Sequence, residues 1–218
     1  LAIAGGGVVA CEFASIYNKF GVQVYMLEHS SQVLSAMDQE VVGMLMQYLR
    51  EDGIDIRLNT KVKAVDTSAS TTKLTLATQG HDGQTSESQI EVDCVLLAIG
   101  RRPNIENLGL EALGVKITPR GHVVVDNQNQ TDCKGLYAAG DILGGQMLAH
   151  KAWYDASIAI SAMCGEECST NYDTVPGAIF TIPEMAAVGF QPDQARQKGM
   201  KIAVGKYLYK DNAQAMCS

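Results

Sequence analysis

Leu1–Glu28, LAIAGGGVVACEFASIYNKFGVQVYMLE, decides the fold. Four apolar residues run into Gly5-Gly6-Gly7, and a helical pattern then opens at Val8 with Phe13, Ile16, Tyr17 and Phe20 on one face. Gly21 is a stop signal, and Val22 to Leu27 reads as a second strand ending at Glu28. The unit is strand, glycine turn, helix, strand. In Gly5-x-Gly7-x-x-Ala10, Gly5 permits the tight turn, Gly7 lets the backbone approach a pyrophosphate, and Ala10 is small enough for the helix to lie close on the sheet. Phosphate oxygens would meet the unpaired N–H groups at the helix start, with Gly6, Val8 and Val9 in that turn.

Glu28 lies 23 positions beyond Gly5, near the offset of about 20 at which such a unit carries its ribose-binding acid. A carboxylate there accepts from the ribose hydroxyls, whereas a 2′-phosphate would meet like charge. His29, Ser30 and Ser31 bring no Arg or Lys to hold a phosphate, so NAD is favoured over NADP. Ala10 in the third glycine slot and His29 beside Glu28 are the two features that run against this.

Asp38 caps a second helix with Val41, Val42, Met44, Leu45, Tyr48 and Leu49 as its apolar stripe, closed by Gly53. Ile54 to Leu58 is a third strand. Thr60 to Val65, Lys73 to Ala77 and Ile90 to Ile99 are further strands, with the turn of the last pair at Gln79 to Ser88. Within the last of them, Cys94 to Ile99 is a continuous apolar run, expected to be buried on both faces. Gly100 follows at the carboxyl end of a sheet strand, where open α/β folds bind ligands. Arg101 and Arg102 are either nucleotide ligands or solvated loop charges.

A net charge of −7 without any basic and aromatic cluster excludes a nucleic-acid surface. No apolar run reaches the length of a membrane span. Six cysteines are scattered as small hydrophobes would be, which suits a reducing compartment. Cys164-x-x-x-Cys168 matches no zinc or thioredoxin-type spacing.

Gly5-Gly6-Gly7-Val8-Val9-Ala10-Cys11-Glu12 with Glu28, and Ala98-Ile99-Gly100-Arg101-Arg102-Pro103-Asn104, resemble the NAD-binding part of the flavin-dependent pyridine nucleotide–disulfide oxidoreductases. Arg120 to Asp126, Gly135 to Asp141 and Met147 to Ala152 are similar to the segment returning to that family's FAD domain. Val175 to Glu184 with Val188-Gly189 is similar to the start of its dimer-interface domain.

The resemblance implies an α/β fold: a Rossmann-like NAD-binding domain with a β-meander over 1–103, a partial FAD-domain segment over 104–172, and the start of an α+β dimerisation domain over 173–218. It implies NAD contacts at Glu12, Val62, Ala98, Ile99, Gly100 and Arg101. It implies FAD contacts at Asp141, delivered by a strand Leu136 to Ala139, and at Met147, Leu148, Ala149 and His150, where a helix from Met147 to Cys164 begins. Asp141 is otherwise a turn or cap aspartate, and His150 is equally a packing residue. Trp153-Tyr154-Asp155-Ala156 departs from the Glu-Gly pair usual there.

The family's redox cysteine pair and its His-Glu relay match nothing in the sequence, so no catalytic residue and no metal ligand is assigned. The chain reads as a fragment, beginning inside a strand and stopping within Ile202 to Cys217 where another should turn. The implied activity is oxidation of dihydrolipoamide and reduction of NAD through FAD, in a homodimer served by lipoyl domains of 2-oxoacid dehydrogenase or glycine cleavage complexes. The implied place is the cytoplasm, or the mitochondrial matrix of a eukaryote. Reductases of glutathione, mercuric ion or oxygen within the family, and a stand-alone NAD-binding module, are the alternatives.

Overall fold

The computed structural model describes residues 1–80 and 82–217. β1 (Ala2–Ala4), β2 (Tyr25–Leu27), β3 (Asp55–Arg57) and β7 (Val95–Leu97) form a parallel sheet in the order β3-β2-β1-β7. β4 (Thr60–Asp66), β5 (Thr72–Gln79) and β6 (Thr85–Val92) form an antiparallel meander. α1 (Val8–Lys19) and α2 (Gln39–Glu51) connect the first three parallel strands.

Alternation along the strands sorts side chains to two faces. Ile3 and Met26 join Ala10, Cys11, Ala14, Val42, Leu45 and Leu49 beneath the helices. Ala2 and Leu27 join Leu74, Leu76 and Val92 beneath the meander. The sheet is therefore covered by helices on one side and by a second sheet on the other, and its strand ends converge on the glycine turn.

The α1 stripe is an inversion of the expected packing. Phe13, Ile16, Tyr17 and Phe20 do share a face, but that face is exposed, with Phe20 at 78%. The buried residues are Ala10, Cys11, Ala14 and Ser15. A helix held against a sheet by a turn of three glycines has room beneath it only for small side chains, so the large ones turn outward. On α2, Val42, Leu45 and Leu49 are buried as expected, joined by Met46, while Val41, Met44 and Tyr48 lie at the exposed edge. Asp38 caps α2 by accepting from the Glu40 and Val41 amides. Gly53 closes it at φ +95°, with the Ile54 amide returning to the Leu49 carbonyl.

Ile90 to Ile99 is two strands in two sheets, not one. β6 completes the meander, the chain turns at Asp93-Cys94, and β7 pairs in parallel with β1. The apolar run is also not buried on both faces: Leu97 is 71% and Ile99 76% exposed. Among the described residues β7 is the outermost strand of its sheet, with a neighbour on one side only. Leu136 to Ala139 forms no strand; Tyr137 makes one isolated bridge to Gln130, because no strand among the described residues flanks it on its other side. Residues 201–208 carry no strand either, and two short 3-10 turns follow.

α3 (Ala149–Met163) starts two residues later than expected, after a 3-10 turn at Gly140–Leu143. β8 (Gly177–Ile179) and β9 (Met185–Ala187) form a hairpin whose Ile179 and Met185 enter the core beneath α1 and α2. The short helix α4 (Pro192–Gln197) follows. No helix among the described residues is long and apolar enough to cross a membrane.

Candidate functional site

Each glycine of the opening turn does a different job. Gly5 has φ +120°, and a Cβ there would lie 2.3 Å from the Ala98 carbonyl oxygen. The turn and the end of β7 therefore touch through backbone alone. At Gly6 a Cβ would stand 2.8 Å from both Glu28 Oε2 and Val33 Cγ1, so the middle glycine makes room for the carboxylate. Gly7 is the N-cap of α1, offers no side-chain cap, and would project a Cβ into open space. The amides of Val8, Val9 and Ala10 are left without intrahelical partners, and the first helical bond runs from the Cys11 amide to the Gly7 carbonyl at 3.0 Å. Together these form a cradle for an anion.

Glu28 stands beside the cradle, 6% exposed. Its amide donates to the Arg57 carbonyl at 2.9 Å and its carbonyl accepts from the Thr60 amide at 2.8 Å, fixing the backbone between two strands. Oε1 accepts from the Ser30 amide at 2.7 Å and lies 2.8 Å from His29 Nδ1. Oε2 has no hydrogen-bond partner among the described residues.

Two cavities meet at this turn. The smaller, about 590 Å³, is lined by Gly5, Gly6, Gly7, Glu28, Val62, Ala98, Ile99 and Gly100, and also by His29 and Lys61. The larger, about 1780 Å³, is lined by Gly7, Val8, Val9, Glu12, Ala98, Gly100 and Arg101 from the first half of the chain. From the second half it receives Met147, Leu148 and Ala149, with Phe180 of the hairpin segment. Gly7, Leu97, Ala98 and Gly100 line both, so the two are halves of one cleft across the strand ends. An extended molecule with an anionic middle fits: the cradle takes the anion and Glu28 takes hydroxyl donors at one end.

Glu12 reaches the larger cavity, yet its Oε1 also accepts from the Phe180 amide at 3.0 Å. One turn further along α1, the Ser15 hydroxyl accepts from the Ile182 amide at 3.1 Å. α1 thus holds both the cradle and the hairpin segment.

The residues expected to meet flavin are brought together only in part. Leu148 and Ala149 open α3 without a side-chain cap, and the helix N-terminus points its free amides toward the larger cavity. His150 and Asp141 line neither cavity. His150 Nε2 bonds the Pro176 carbonyl at 2.5 Å, and Asp141 is ion-paired with Arg101. The uncapped start of α3 offers amides to an anionic or electron-rich group, and Asp141, as paired, shares its carboxylate with Arg101.

Sequence reasoning missed a buried ionic hub behind this turn. Asp155, fully buried, accepts from Lys151 Nζ at 2.8 Å, the Gly140 amide at 3.0 Å and the Tyr172 hydroxyl at 2.9 Å. Lys151 also donates to the Gly144 carbonyl at 3.3 Å. The only signal was Asp155 standing where an acid-glycine pair is usual; its charge serves the interior. Among the described residues no group of His, Cys, Asp and Glu has metal-binding geometry. The Cys11 thiol is pushed up to about 12, first by burial and then by Glu12 and Glu28, so it is no nucleophile.

A glycine cradle, a ribose-binding acid and a helix-bounded cleft at the carboxyl ends of parallel strands define a dinucleotide-binding oxidoreductase fold. The chain belongs to the pyridine nucleotide-disulphide oxidoreductase family, whose model matches residues 1–156; the family's dimerisation-domain model matches 175–218. It is 35% identical over 216 residues to dihydrolipoyl dehydrogenase of Staphylococcus aureus, covering 99% of this chain and 45% of that protein. It is 34% identical over 215 residues to the mitochondrial dihydrolipoyl dehydrogenase of Pisum sativum, covering 99% of this chain and 42% of that one. Among solved structures, LpdA of Mycobacterium tuberculosis superposes with a TM-score of 0.87 at 28% identity, over 99% of this chain and 46% of that chain. The HOCl-induced flavoprotein disulfide reductase RclA of Escherichia coli gives 0.84 at 29%, over 99% of this chain and 48% of that one. The chain spans a little under half the length of these relatives.

Proposed function

We propose that the cleft binds NAD in preference to NADP, and that the chain forms the nucleotide-binding part of a dihydrolipoyl dehydrogenase. In that enzyme dihydrolipoamide is oxidised and NAD reduced by way of FAD and a redox disulfide. Residues 1–103 are the NAD domain, 104–172 a segment of the FAD domain and 173–218 the start of the dimerisation domain. The working enzyme is a homodimer that serves lipoyl domains, in the cytoplasm or the mitochondrial matrix. The likeness to two dihydrolipoyl dehydrogenases supports the substrate, and Glu28 carries the nucleotide assignment: its Oε2 lacks a partner while its Oε1 is held.

On this reading the Val8 and Val9 amides bind the pyrophosphate, and the open space beyond Gly7 lets it approach. Glu28 Oε2 accepts from the adenosine ribose, and Val62 borders the adenine. Ala98, Ile99 and Gly100 carry the dinucleotide across β7 toward Glu12, in the larger cavity. The bound nicotinamide supplies a site that gives or takes a hydride. The chain's own residues orient it and contribute no thiol, since none of the described cysteines lines either cavity. That same observation favours a second reading, a nucleotide-binding module without turnover.

Titrating the chain with NADH and NADPH by nucleotide fluorescence tests the proposal. NADH is expected to bind about tenfold more tightly or better at about pH 8, the size of a charge-assisted hydrogen bond exchanged for like-charge contact. Equal affinities would refute the role given to Glu28. Turnover of dihydrolipoamide with NAD by the chain supplemented with FAD would exclude the module reading.

A further inference from the structure

Behind the larger cavity, two side chains of α1 hold the segment that leaves β8. Glu12 Oε1 accepts from the Phe180 amide at 3.0 Å, and the Ser15 hydroxyl accepts from the Ile182 amide at 3.1 Å. Glu12 and Ser15 stand three residues apart and so share a face of the helix. Glu12 lines the larger cavity, whereas Ser15, 2% exposed, lines neither cavity. Ser15 therefore reaches a ligand only through the segment it holds.

Resting on the NAD reading, in which the dinucleotide runs toward Glu12, we propose that Ser15 is a positioning residue for its nicotinamide end. The hydroxyl fixes the segment from Gly177 to Ile182 against α1, and Gly177, Ala178 and Phe180 of that segment wall the larger cavity beside Glu12, Val8 and Val9. A wall held in place before the ligand arrives spares the ordering cost of setting it on binding. Without the hydroxyl, the Ile182 amide has lost its acceptor in a place closed to water, and the segment shifts to find another.

The effect is confined to one end of the cleft. The cradle amides belong to the first turn of α1, and Glu28 is fixed between Arg57 and Thr60 through its own backbone, so neither depends on the Ile182 contact. The hairpin itself keeps its place, since Ile179 and Met185 are anchored in the core and Thr181 is buried with its hydroxyl donating to the Pro183 carbonyl at 2.7 Å. Glu12 does not separate positioning from contact, because it faces the ligand directly while holding Phe180. Ser15 does.

The test measures dissociation constants of NADH and of ADP-ribose, the same molecule without its nicotinamide, by calorimetry on the whole 218-residue chain, on S15A, on F180A and on the double variant. S15A is expected to bind NADH about three- to tenfold more weakly, the factor that one hydrogen bond corresponds to, while its ADP-ribose affinity stays close to that of the unmodified chain. F180A, at a position 66% exposed, breaks no buried bond and should show the same split between the two ligands. The double variant should lose little more NADH affinity than F180A alone, because both changes act on one wall. Unchanged NADH affinity in S15A, equal losses of both ligands in S15A or in F180A, or losses that simply add in the double variant would overturn the proposal. ADP-ribose bound as tightly as NADH by the unmodified chain would overturn it too, while leaving the cradle and Glu28 in their roles. Failure of both ligands to bind the unmodified chain would remove the NAD reading and this proposal with it.

Discussion

Arg101, on the loop leaving β7, is ion-paired with Asp141, at the 3-10 turn ahead of α3, and its guanidinium also reaches the Met147 carbonyl at 3.5 Å. A residue of the proposed nucleotide site thereby restrains one expected at the flavin. Both side chains are partly exposed, and such pairs contribute about 0–1 kcal/mol. Arg101→Gln should therefore shift the urea unfolding midpoint only slightly. A large loss would mean that Arg101 carries more of the packing between these segments than its exposure suggests.

Asp155 should behave in the opposite way. Asp155→Asn leaves Lys151, 3% exposed, as a buried cation without its counter-charge, a situation that costs about 3–5 kcal/mol. Adding Lys151→Met should recover part of the loss and not all, because the Gly140 amide and Tyr172 hydroxyl keep their defective partner. Urea denaturation of the single and double variants measures this coupling.

The three glycines are expected to separate folding from binding. Gly5→Ala meets both a positive φ and the Ala98 carbonyl, and should destabilise by more than the about 1–3 kcal/mol that backbone strain alone costs. Gly6→Ala must displace Glu28 or Val33, and should weaken NADH binding as well as stability. Gly7→Ala fills only open space, so its thermal midpoint should stay close to that of the unmodified chain while NADH affinity drops about tenfold or more. Unchanged NADH affinity in Gly7→Ala would place the phosphates elsewhere.

The alkaline limb of stability should report Cys11. Its folded thiol titrates at about 12, against about 8.5 when unfolded, so the proton is held more tightly in the native state. The associated stability is complete below the unfolded value and is lost as the pH rises from there toward about 12. Tyr172, raised to about 12 by burial and by its bond to Asp155, adds to the same limb from a higher starting point. Cys11→Ala should flatten the early part of that decline in denaturation curves recorded at successive pH values. Alkylation at neutral pH should label Cys94, Cys164 and Cys217, which are exposed, before Cys11.

Large apolar side chains at the surface predict association. Trp153 is 82% exposed, and Phe20, Leu97 and Ile99 lie open as well. Concentration-dependent light scattering and binding of a hydrophobic dye are expected, and a monodisperse, dye-free solution would contradict the exposure of these groups.

Much of the site was legible along the chain because it depends on local rules. The turn at Gly5 to Gly7, the cap at Asp38 and the stop at Gly53 are set by backbone sterics and by hydrogen bonds within a few residues. Glu28 was legible too, since a βαβ unit fixes where its second strand ends. Burial was read less well. Cys94 to Ile99 looks like a central strand, and only the sheet order shows that β7 has one neighbour. Phe13, Ile16, Tyr17 and Phe20 look like a core stripe, yet the close approach of α1 to the sheet selects the small residues instead.

By itself, the sequence determined the cradle, the acid beside it and the order of helices and strands around them, because each depends on neighbours in the chain. Tertiary structure alone decided that Gly6 makes room for Glu28, that His29 stands over that carboxylate from the solvent side, and that Asp155 joins Gly140, Lys151 and Tyr172 in the interior. The contacts of Gly6 with Glu28 and of Asp155 with Gly140 and Tyr172 depend on distances across the fold. Hydrogen bonding and charge act over a few ångströms, and only folding brings most of these groups that close.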